Sequence, residues 1–285
     1  MSGDVLIDHF NEQAGWCADI GSPFMDALCR RAGHDIAEGG PVADLLGDWT
    51  GNPRRDAVAL RLAGALHFAI LNGQAPSLAA AYPTPDKPDW SMEVVWPLAQ
   101  DFISNNLAFM RAFMAQTPQT NETRRAICLL AGFLDIAAEF EKPMNLLELG
   151  ASAGLNMNWD RFTYRTDSWR YGDGEVLIAT DWQAAPPDVT AGPVIAERAA
   201  CDINPLNVDD PDEALRLRAY LWPDQFDRLE RFDGAVALAR KTGFRPEKAD
   251  ALDWLTEKLA ARPDGAVTVV YHSVFFHYPP QDVRD

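Results

Sequence analysis

Residues 145–156 constrain the fold of this chain more than any other segment. The stretch reads Asn145-Leu-Leu-Glu-Leu-Gly-Ala-Ser-Ala-Gly-Leu-Asn156, an apolar run followed at once by small residues. A short apolar run is typical of a buried strand, and glycines permit a tight turn and a close approach of the backbone to a ligand. The sequence therefore predicts a strand, a glycine loop and a helix start that hold a small ligand at a sheet edge.

The periodicity of apolar residues changes near residue 142. Before it, apolar residues recur three and four positions apart, which predicts helices, and Ser22-Pro23 and Gly39-Gly40-Pro41 mark helix boundaries. After Lys142-Pro143, short apolar runs alternate with helical patterns, which is typical of parallel βαβ units. We therefore predict an all-helical N-terminal cap domain over residues 1–142 and an α/β domain with a Rossmann-like sheet over residues 143–285.

Apolar runs and turn residues also predict single elements of the second half. We expect a helix directly after Gly154, and an aromatic, hairpin-like insert over residues 161–182 that turns at Gly172-Asp-Gly174. The expected strands lie at residues 144–149, 194–201 and 266–272, with a short strand before Asp250.

Charge and cysteine usage exclude several classes of function. The 25 Lys and Arg and 42 Asp and Glu give a net charge of −17, which repels nucleic-acid backbones and anionic lipid. The four cysteines lack metal-ligand spacing, so reduced core thiols and no metal site are expected. The N-terminus lacks signal-peptide features, and the apolar stretches are too short to span a bilayer. We therefore expect a cytoplasmic protein with neither nucleic-acid nor membrane partners.

The glycine loop does not fit a dinucleotide site. That motif requires glycines at positions 150, 152 and 155, and this chain has Ser152 and Leu155 at two of them. NAD is therefore disfavoured.

The loop does match a hydrolase nucleophile elbow. Gly150-Ala-Ser152-Ala-Gly154 has the required spacing, and Asp202 or Asp250, then His272 or His277, follow in the chain order of that fold. No glycine-rich oxyanion segment precedes the loop. A serine hydrolase with Ser152 as its nucleophile remains an alternative.

A third interpretation rests on a resemblance. Glu148-Leu-Gly150-Ala-Ser152-Ala-Gly154 resembles the first motif of class I S-adenosylmethionine-dependent methyltransferases, an acid followed by glycines at alternate positions. The small residues, here including Ala151, let the backbone approach the methionine and ribose parts of the cofactor. Ser152 stands where the motif has its middle glycine. Some ribosomal-RNA and haemolysin-type methyltransferases resemble this chain here, because they have Gly-Ala-Ser-Thr-Gly.

Two later acids resemble the second and third motifs of the same fold. Asp202, in Ala200-Cys-Asp202-Ile-Asn-Pro205, follows a predicted strand, and a carboxylate there accepts both ribose hydroxyls. Asp250, with Ala251 after it, corresponds to the acid that accepts from the adenine amino group. An ordinary polar turn at Asp202 and a helix N-cap at Asp250 are the alternatives.

His272 ends the last predicted strand and Ser273 follows it, and the carboxyl end of this strand faces the reacting methyl group in the resembled fold. We expect them to position the acceptor, with His272 as a candidate general base because its pKa is ordinarily near neutral. A hydrogen-bonded structural histidine is the alternative.

The chain also resembles the bacterial DUF2332 family along nearly its whole length. The matching runs are Glu148-Leu-Gly-Ala-Ser-Ala-Gly-Leu-Asn156, Tyr171-Gly172, Glu197-Arg-Ala-Ala-Cys-Asp-Ile-Asn-Pro-Leu-Asn-Val208, Leu215-Arg-Leu-Arg-Ala-Tyr-Leu-Trp-Pro-Asp-Gln225 and Val269-Val-Tyr-His-Ser273. The resemblance implies a helical N-terminal region joined to a methyltransferase-like domain, and it implies no particular substrate.

A complete methyltransferase sheet has a fifth strand and an antiparallel hairpin after the fourth strand, so we expect either a chain truncated at its carboxyl end or missing strands that another chain replaces. An unpaired apolar edge at residues 267–271 would favour a homodimer.

The functional hypothesis is an S-adenosylmethionine-dependent methyltransferase that acts on a small-molecule or protein acceptor. Its cofactor site comprises Glu148, Gly150, Ala151, Ser152, Gly154, Asp202, Asp250 and Ala251. Its catalytic candidates are His272 and Ser273. A serine hydrolase and a non-catalytic ligand-binding scaffold stay open.

Overall fold

The computed structural model describes residues 3–277 and 281–284 and has a mixed α/β architecture. The chain forms two compact units. The first comprises Met1–Thr120 and Leu215–Leu229, and the second comprises Asn121–Ala214 and Glu230–Asp285. The predicted helical N-terminal region and α/β class are confirmed. The domain boundary at residue 142 stays a prediction.

Helices make up the N-terminal part of the first unit. They are α1 (Gly3–Asp19), α2 (Pro23–Glu38), α3 (Pro41–Leu46), α4 (Val58–Leu71), α5 (Pro76–Ala79), α6 (Met92–Asn105) and α7 (Leu107–Met114). As predicted, Pro23 opens α2 after the cap residue Ser22, which accepts a hydrogen bond from Met25 N. Gly39 ends α2 with φ +71°, a left-handed conformation that suits glycine.

The segment Leu215–Leu229 is fixed to this helical unit by polar contacts. Ser22 Oγ donates to Asp224 Oδ1 at 2.6 Å, and Phe24 N donates to Asp224 Oδ2 at 3.0 Å. His67 Nδ1 lies 3.2 Å from Ala219 O and 3.1 Å from the carbonyl of residue 221. Since both partners are acceptors, this nitrogen carries the proton. Burial lowers the pKa of His67 to about 4, so it is a neutral structural histidine.

The second unit contains a four-stranded parallel sheet with the order β6-β5-β1-β7. Its strands are β1 (Met144–Leu149), β5 (Ile195–Asp202), β6 (Glu247–Lys248) and β7 (Val267–Tyr271). All four coincide closely with the predicted strands. The side chains of β1 are all buried, which explains its continuous apolar sequence. Among the described residues β7 pairs with β1 alone, and Val270 is 41% exposed. Association of two copies through this edge stays a prediction.

The aromatic insert forms a separate three-stranded sheet with the order β3-β2-β4. Its strands are β2 (Phe162–Arg165), β3 (Arg170–Tyr171) and β4 (Val176–Ala179). A hairpin turn joins β2 to β3, where Trp169 N donates to Thr166 Oγ1. The predicted turn at Gly172-Asp-Gly174 lies between β3 and β4, which run in opposite directions but do not pair with each other. Gly172 and Gly174 pass so close to the carbonyls of Phe162 and Arg161 that a Cβ would clash with them. Tight packing explains those two glycines.

The helices of the remaining chain are α8 (Ala126–Phe140), α9 (Pro211–Ala219), α10 (Phe226–Thr242), α11 (Ala251–Ala260) and α12 (Gln281–Arg284). The helix predicted after Gly154 is instead a 3₁₀ segment, Leu155–Arg161, which a kink with non-helical angles at Asn158 interrupts. Further 3₁₀ turns lie at Thr123–Arg125 and Phe275–His277.

In the part of the chain that the structure describes, no helix is long and apolar enough to cross a membrane. All four cysteines are free thiols. Cys17, Cys29 and Cys201 are buried as expected, whereas Cys128 is exposed and is therefore not a core thiol.

Candidate functional site

The candidate site lies beyond the carboxyl end of β1, at the centre of the parallel sheet. The next two long strands in the chain, β5 and β7, pair with β1 on opposite sides. In open parallel sheets, ligands bind where the strand order reverses in this way, in the crevice beyond the carboxyl ends. Residues 150–154 leave β1 at that point.

Three alternate residues of this loop have positive φ angles: Gly150 at +66°, Ser152 at +55° and Gly154 at +74°. Glycine adopts this region freely, whereas an L residue with a Cβ pays about 1–2 kcal/mol. Ser152 therefore holds a conformation that would suit glycine. The positive φ angles therefore explain why glycine or serine stands at alternate positions of the loop.

The two glycines are also required by close contacts. A Cβ on Gly150 would lie 2.5 Å from the ring of Phe275, and a Cβ on Gly154 would lie 3.0 Å from Pro246. Neither neighbour was predicted at the site. Phe275 follows β7 and Pro246 precedes β6, and no motif in the sequence indicates that they meet the loop.

Asp202, the last residue of β5, holds the loop through its carboxylate. Ser152 N donates to Asp202 Oδ2 at 2.8 Å, and Asn204 N donates to Asp202 Oδ1 at 2.8 Å. Ala151 N donates to Cys201 O at 3.1 Å. The structure thus brings together Asp202 and the loop, two parts of the predicted cofactor site. Each carboxylate oxygen keeps capacity for a second hydrogen bond, because a carboxylate has about four acceptor positions.

Glu148 is almost fully buried in β1, with 1% of its surface exposed. Tyr271 Oη donates to Glu148 Oε2 at 3.3 Å from the neighbouring strand. Burial raises the pKa of Glu148 to about 8, the Tyr271 hydrogen bond opposes the rise, and the charge of Asp202 adds to it. At neutral pH the carboxyl of Glu148 therefore carries a proton.

Asp250 and Ala251 follow β6, the strand beside β5. Asp250 Oδ1 accepts from Leu252 N at 2.9 Å and from Asp253 N at 3.4 Å, so it caps α11. The N-cap that the sequence left as an alternative is present. Asp250 is exposed and lies two residues beyond the strand that pairs with Cys201 and Asp202.

His272 and Ser273 follow β7, so they also lie at the carboxyl edge of the sheet. The His272 ring stacks on Phe276, with 4.6 Å between ring centroids. Arg125 Nη1 donates to Ser273 Oγ at 3.4 Å. Both residues are partly buried. The side chain of His277, the other candidate histidine of the hydrolase, lies outside the described residues.

Asn121 is a further contact of the loop that the sequence did not reveal. Its Oδ1 accepts from Leu155 N at 2.8 Å, so it caps the 3₁₀ segment that follows Gly154. The following residues include Asn156 and Asn158, which are fully buried. Asn156 Nδ2 donates to Glu122 O at 3.3 Å. A cap supplied from 34 residues away has no local sequence signal.

The described part of the chain does not indicate a metal site. Among these residues, no group of three or more His, Cys, Asp or Glu side chains is placed to hold a metal ion.

The profile of a bacterial family, DUF2332, matches residues 8–285 and is described as "uncharacterized protein conserved in bacteria". Searches of curated proteins and of solved structures found no match. The family match covers the whole site, from the loop after β1 to Ser273. The chain belongs to the DUF2332 family.

Proposed function

We propose that this protein is an S-adenosylmethionine-dependent methyltransferase that acts on a small-molecule or protein acceptor. The observation that carries the proposal is the loop after β1. Positions 150, 152 and 154 all have positive φ, and the acid at the end of β5 holds the middle one. These are the positions that the resembled motif gives to glycine, and Ser152 has a backbone conformation that glycine adopts freely.

Strand order supports the same proposal. Numbered by their order in the chain, the four parallel strands lie as 3-2-1-4. A doubly wound Rossmann sheet begins with this order, and its ligand crevice lies beyond strand 1. In this chain the loop after β1 lies at that position.

The residues present suit the cofactor in type. The loop consists of small residues, which leave its backbone accessible to a ligand on the sides that Phe275 and Pro246 do not cover. Asp202 retains acceptor capacity for a ribose diol, and Asp250 Oδ2 is available for an adenine amino group while Oδ1 caps α11. The ring of Phe275, which lies against Gly150, would form a wall of this site.

S-adenosylmethionine supplies an electrophilic methyl group for in-line displacement. Such a reaction needs mainly proximity and alignment from the protein. Ser273 and His272 lie at the end of β7, where we propose that they orient the acceptor. The His272 ring is the candidate base for the acceptor's proton, because imidazole ordinarily titrates near neutral pH.

Calorimetry with S-adenosylhomocysteine and S-adenosylmethionine tests the proposal. We expect saturable binding by the wild-type chain, loss of binding in Asp202→Ala, and unchanged binding in Asp173→Ala, an exposed acid in the insert. Absence of binding heat in the wild type would overturn the proposal. Binding without transfer to any acceptor would instead favour a non-catalytic scaffold.

A serine hydrolase is the second candidate, because Ser152 has φ +55° directly after a strand. A nucleophile elbow places its serine on such a strained turn. Against it, no glycine-rich oxyanion segment precedes the loop in the sequence. A fluorophosphonate probe that labels Ser152 would favour the hydrolase, and an unlabelled Ser152 would exclude it.

A further inference from the structure

Arg125 lies beside the carboxyl edge of the parallel sheet, in contact with a residue of the proposed acceptor site. It is the last residue of the 3₁₀ turn Thr123–Arg125 and directly precedes α8. Its Nη1 donates to Ser273 Oγ, 148 residues further along the chain, at 3.4 Å. Because Ser273 follows β7, this contact places the guanidinium where the proposed acceptor is oriented.

The guanidinium of Arg125 has unused hydrogen-bonding capacity. Arginine carries several N–H donors, and the 3.4 Å contact with Ser273 is longer than ordinary N–H···O bonds of about 2.7–3.2 Å. Among the side chains that the structure describes, no carboxylate forms an ion pair with Arg125. The acid nearest in sequence, Glu122, accepts from Arg124 N, and its Oε1 lies 3.7 Å from Arg231 Nη2.

Neither helix stability nor solvation accounts for this unpaired cation. Arg124 and Arg125 stand at the start of a helical stretch that continues into α8, where the helix dipole disfavours positive charge. Arg124 is exposed, so water solvates its charge, whereas Arg125 is partly buried. A charge that is partly removed from water costs free energy unless an opposite charge compensates it. The Ser273 hydroxyl is neutral and does not supply that charge.

Aromatic rings flank Ser273 in the segment after β7. The side chain of Phe276 is 45% exposed, and the His272 ring stacks on it with 4.6 Å between centroids. The centroid of the Phe275 ring lies 6.3 Å from that of Phe276, in an edge-to-face arrangement. A partly exposed aromatic surface in the segment that contacts a guanidinium suits a ligand with an apolar body and a negative group.

We propose that Arg125 binds a carboxylate of the methyl acceptor, which is a carboxylic acid with an aromatic or other apolar body. A guanidinium matches the geometry of a carboxylate with two parallel hydrogen bonds. Since the net charge of the chain is −17, its overall field repels anions, and a local cation is needed to hold one. The inference rests on the proposed function, because that function assigns the acceptor to the end of β7.

Ligand-observed NMR with benzoate and its neutral analogue benzamide tests the proposal, with and without saturating S-adenosylhomocysteine. We expect the full wild-type chain to bind benzoate about tenfold more tightly than benzamide. Arg125→Gln should weaken benzoate binding about tenfold, and Arg124→Gln, at the exposed neighbouring position, should leave it unchanged. Equal affinities of the wild type for the two probes would overturn the proposal. So would unchanged benzoate binding in Arg125→Gln.

Two further variants separate a direct contact from a structural role. Arg125→Lys keeps the charge but not the planar donors, so it should retain more benzoate affinity than Arg125→Gln. Arg125→Glu should reject benzoate and bind the cation benzamidine, which the wild type should reject. Loss of benzoate binding in Arg125→Lys to the same extent as in Arg125→Gln would assign a structural role and overturn the proposal.

Calorimetry with S-adenosylhomocysteine distinguishes failure of this inference from failure of the proposed function. Arg125→Gln should bind it as tightly as the wild type, because Arg125 contacts the acceptor and not the cofactor. Weaker binding in Arg125→Gln, or its displacement by benzoate, would place Arg125 on the cofactor and overturn the inference. If the wild type binds benzoate through Arg125 but binds no S-adenosylhomocysteine, the proposed function fails and Arg125 is supported as a carboxylate-binding residue.

Discussion

Ser152 N donates a 2.8 Å hydrogen bond to Asp202 Oδ2, which joins the loop after β1 to the end of β5. The donor belongs to a non-glycine residue with positive φ, in a position where only 9% of the residue is exposed. A strained conformation persists only where its surroundings over-determine it. Asp202 is therefore first a positioning residue for the loop, and its proposed contact with a ribose depends on that placement.

Replacing Asp202 by Ala should lower the free energy of unfolding by about 1–3 kcal/mol, because the backbone N–H groups of Ser152 and Asn204 lose their acceptor. Urea unfolding measures the change. Asp202→Asn, which keeps one acceptor oxygen, should lose less stability. Equal stability of Asp202→Ala and the wild type would contradict the role of this contact.

Replacing Ser152 by Gly should stabilise the protein. The relief of the left-handed strain exceeds the added entropy of glycine in the unfolded chain, so we expect a gain of about 1 kcal/mol. Ser152→Ala keeps the Cβ and should show no such gain. If the proposed cofactor binds, its affinity should survive Ser152→Gly, whereas a hydrolase would lose its nucleophile. A lower free energy of unfolding for Ser152→Gly would show that the contacts of the serine hydroxyl stabilise the fold by more than the backbone strain destabilises it.

Part of the site was predictable because its cause is local. Alternate small residues after an apolar run predict a tight loop, and the loop has the positive φ angles that require them. The contact of Ser152 with Asp202 depends on strand pairing across 50 residues, so the sequence could place both residues but not join them. Phe275 gave no signal at all, because its contact with Gly150 arises from the path of the chain after β7.

The fold shows the same limit. The strands were predictable from apolar runs, whereas the helix expected after Gly154 is only a 3₁₀ segment. Asn156 and Asn158 lie in that segment, and asparagine disfavours continued helix because its side chain competes for backbone hydrogen bonds. Segment Leu215–Leu229 joins the helical unit through Ser22 and Asp224, which are 202 residues apart, and no periodicity reports such a contact.

Replacing Gly150 by Ala tests the close packing at the loop. Alanine at this position must keep the positive φ, and its Cβ must also displace the ring of Phe275. We therefore expect the free energy of unfolding to fall by about 2–4 kcal/mol. Gly243→Ala is the matched control, because Gly243 has φ +74° and no atom within 4 Å of the added Cβ. It should lose about 1–2 kcal/mol from strain alone. Equal losses for the two variants would mean that the ring of Phe275 moves aside without lowering the free energy of unfolding.

A double-mutant cycle tests how Asp224 fixes the segment Leu215–Leu229. Asp224→Ala should cost about 1–3 kcal/mol, because Ser22 Oγ and Phe24 N lose their acceptor. Ser22→Ala removes one of these donors and the cap of α2. Since the pair is in direct contact, the double variant should lose less than the sum of the single losses, and urea denaturation of all four proteins measures the coupling. If the two single losses of unfolding free energy simply add in the double variant, the contact between Ser22 and Asp224 does not stabilise the protein.

The buried Glu148 should make the protein less stable as pH rises. Its pKa in the folded chain, raised by burial to about 8, lies above the ordinary value of 4.5, so between these values the folded state retains a proton that the unfolded state releases. For this single group the free energy of unfolding then falls by about 1.4 kcal/mol per pH unit, and it levels off above the folded pKa.

Glu148→Gln, which cannot titrate, should flatten that slope and gain stability towards pH 8. Urea unfolding between pH 5 and about 9 compares it with the wild type, and Glu139→Gln, at an exposed position of α8, should keep the wild-type slope. Parallel curves for Glu148→Gln and the wild type would mean that Glu148 is ionised in the folded protein.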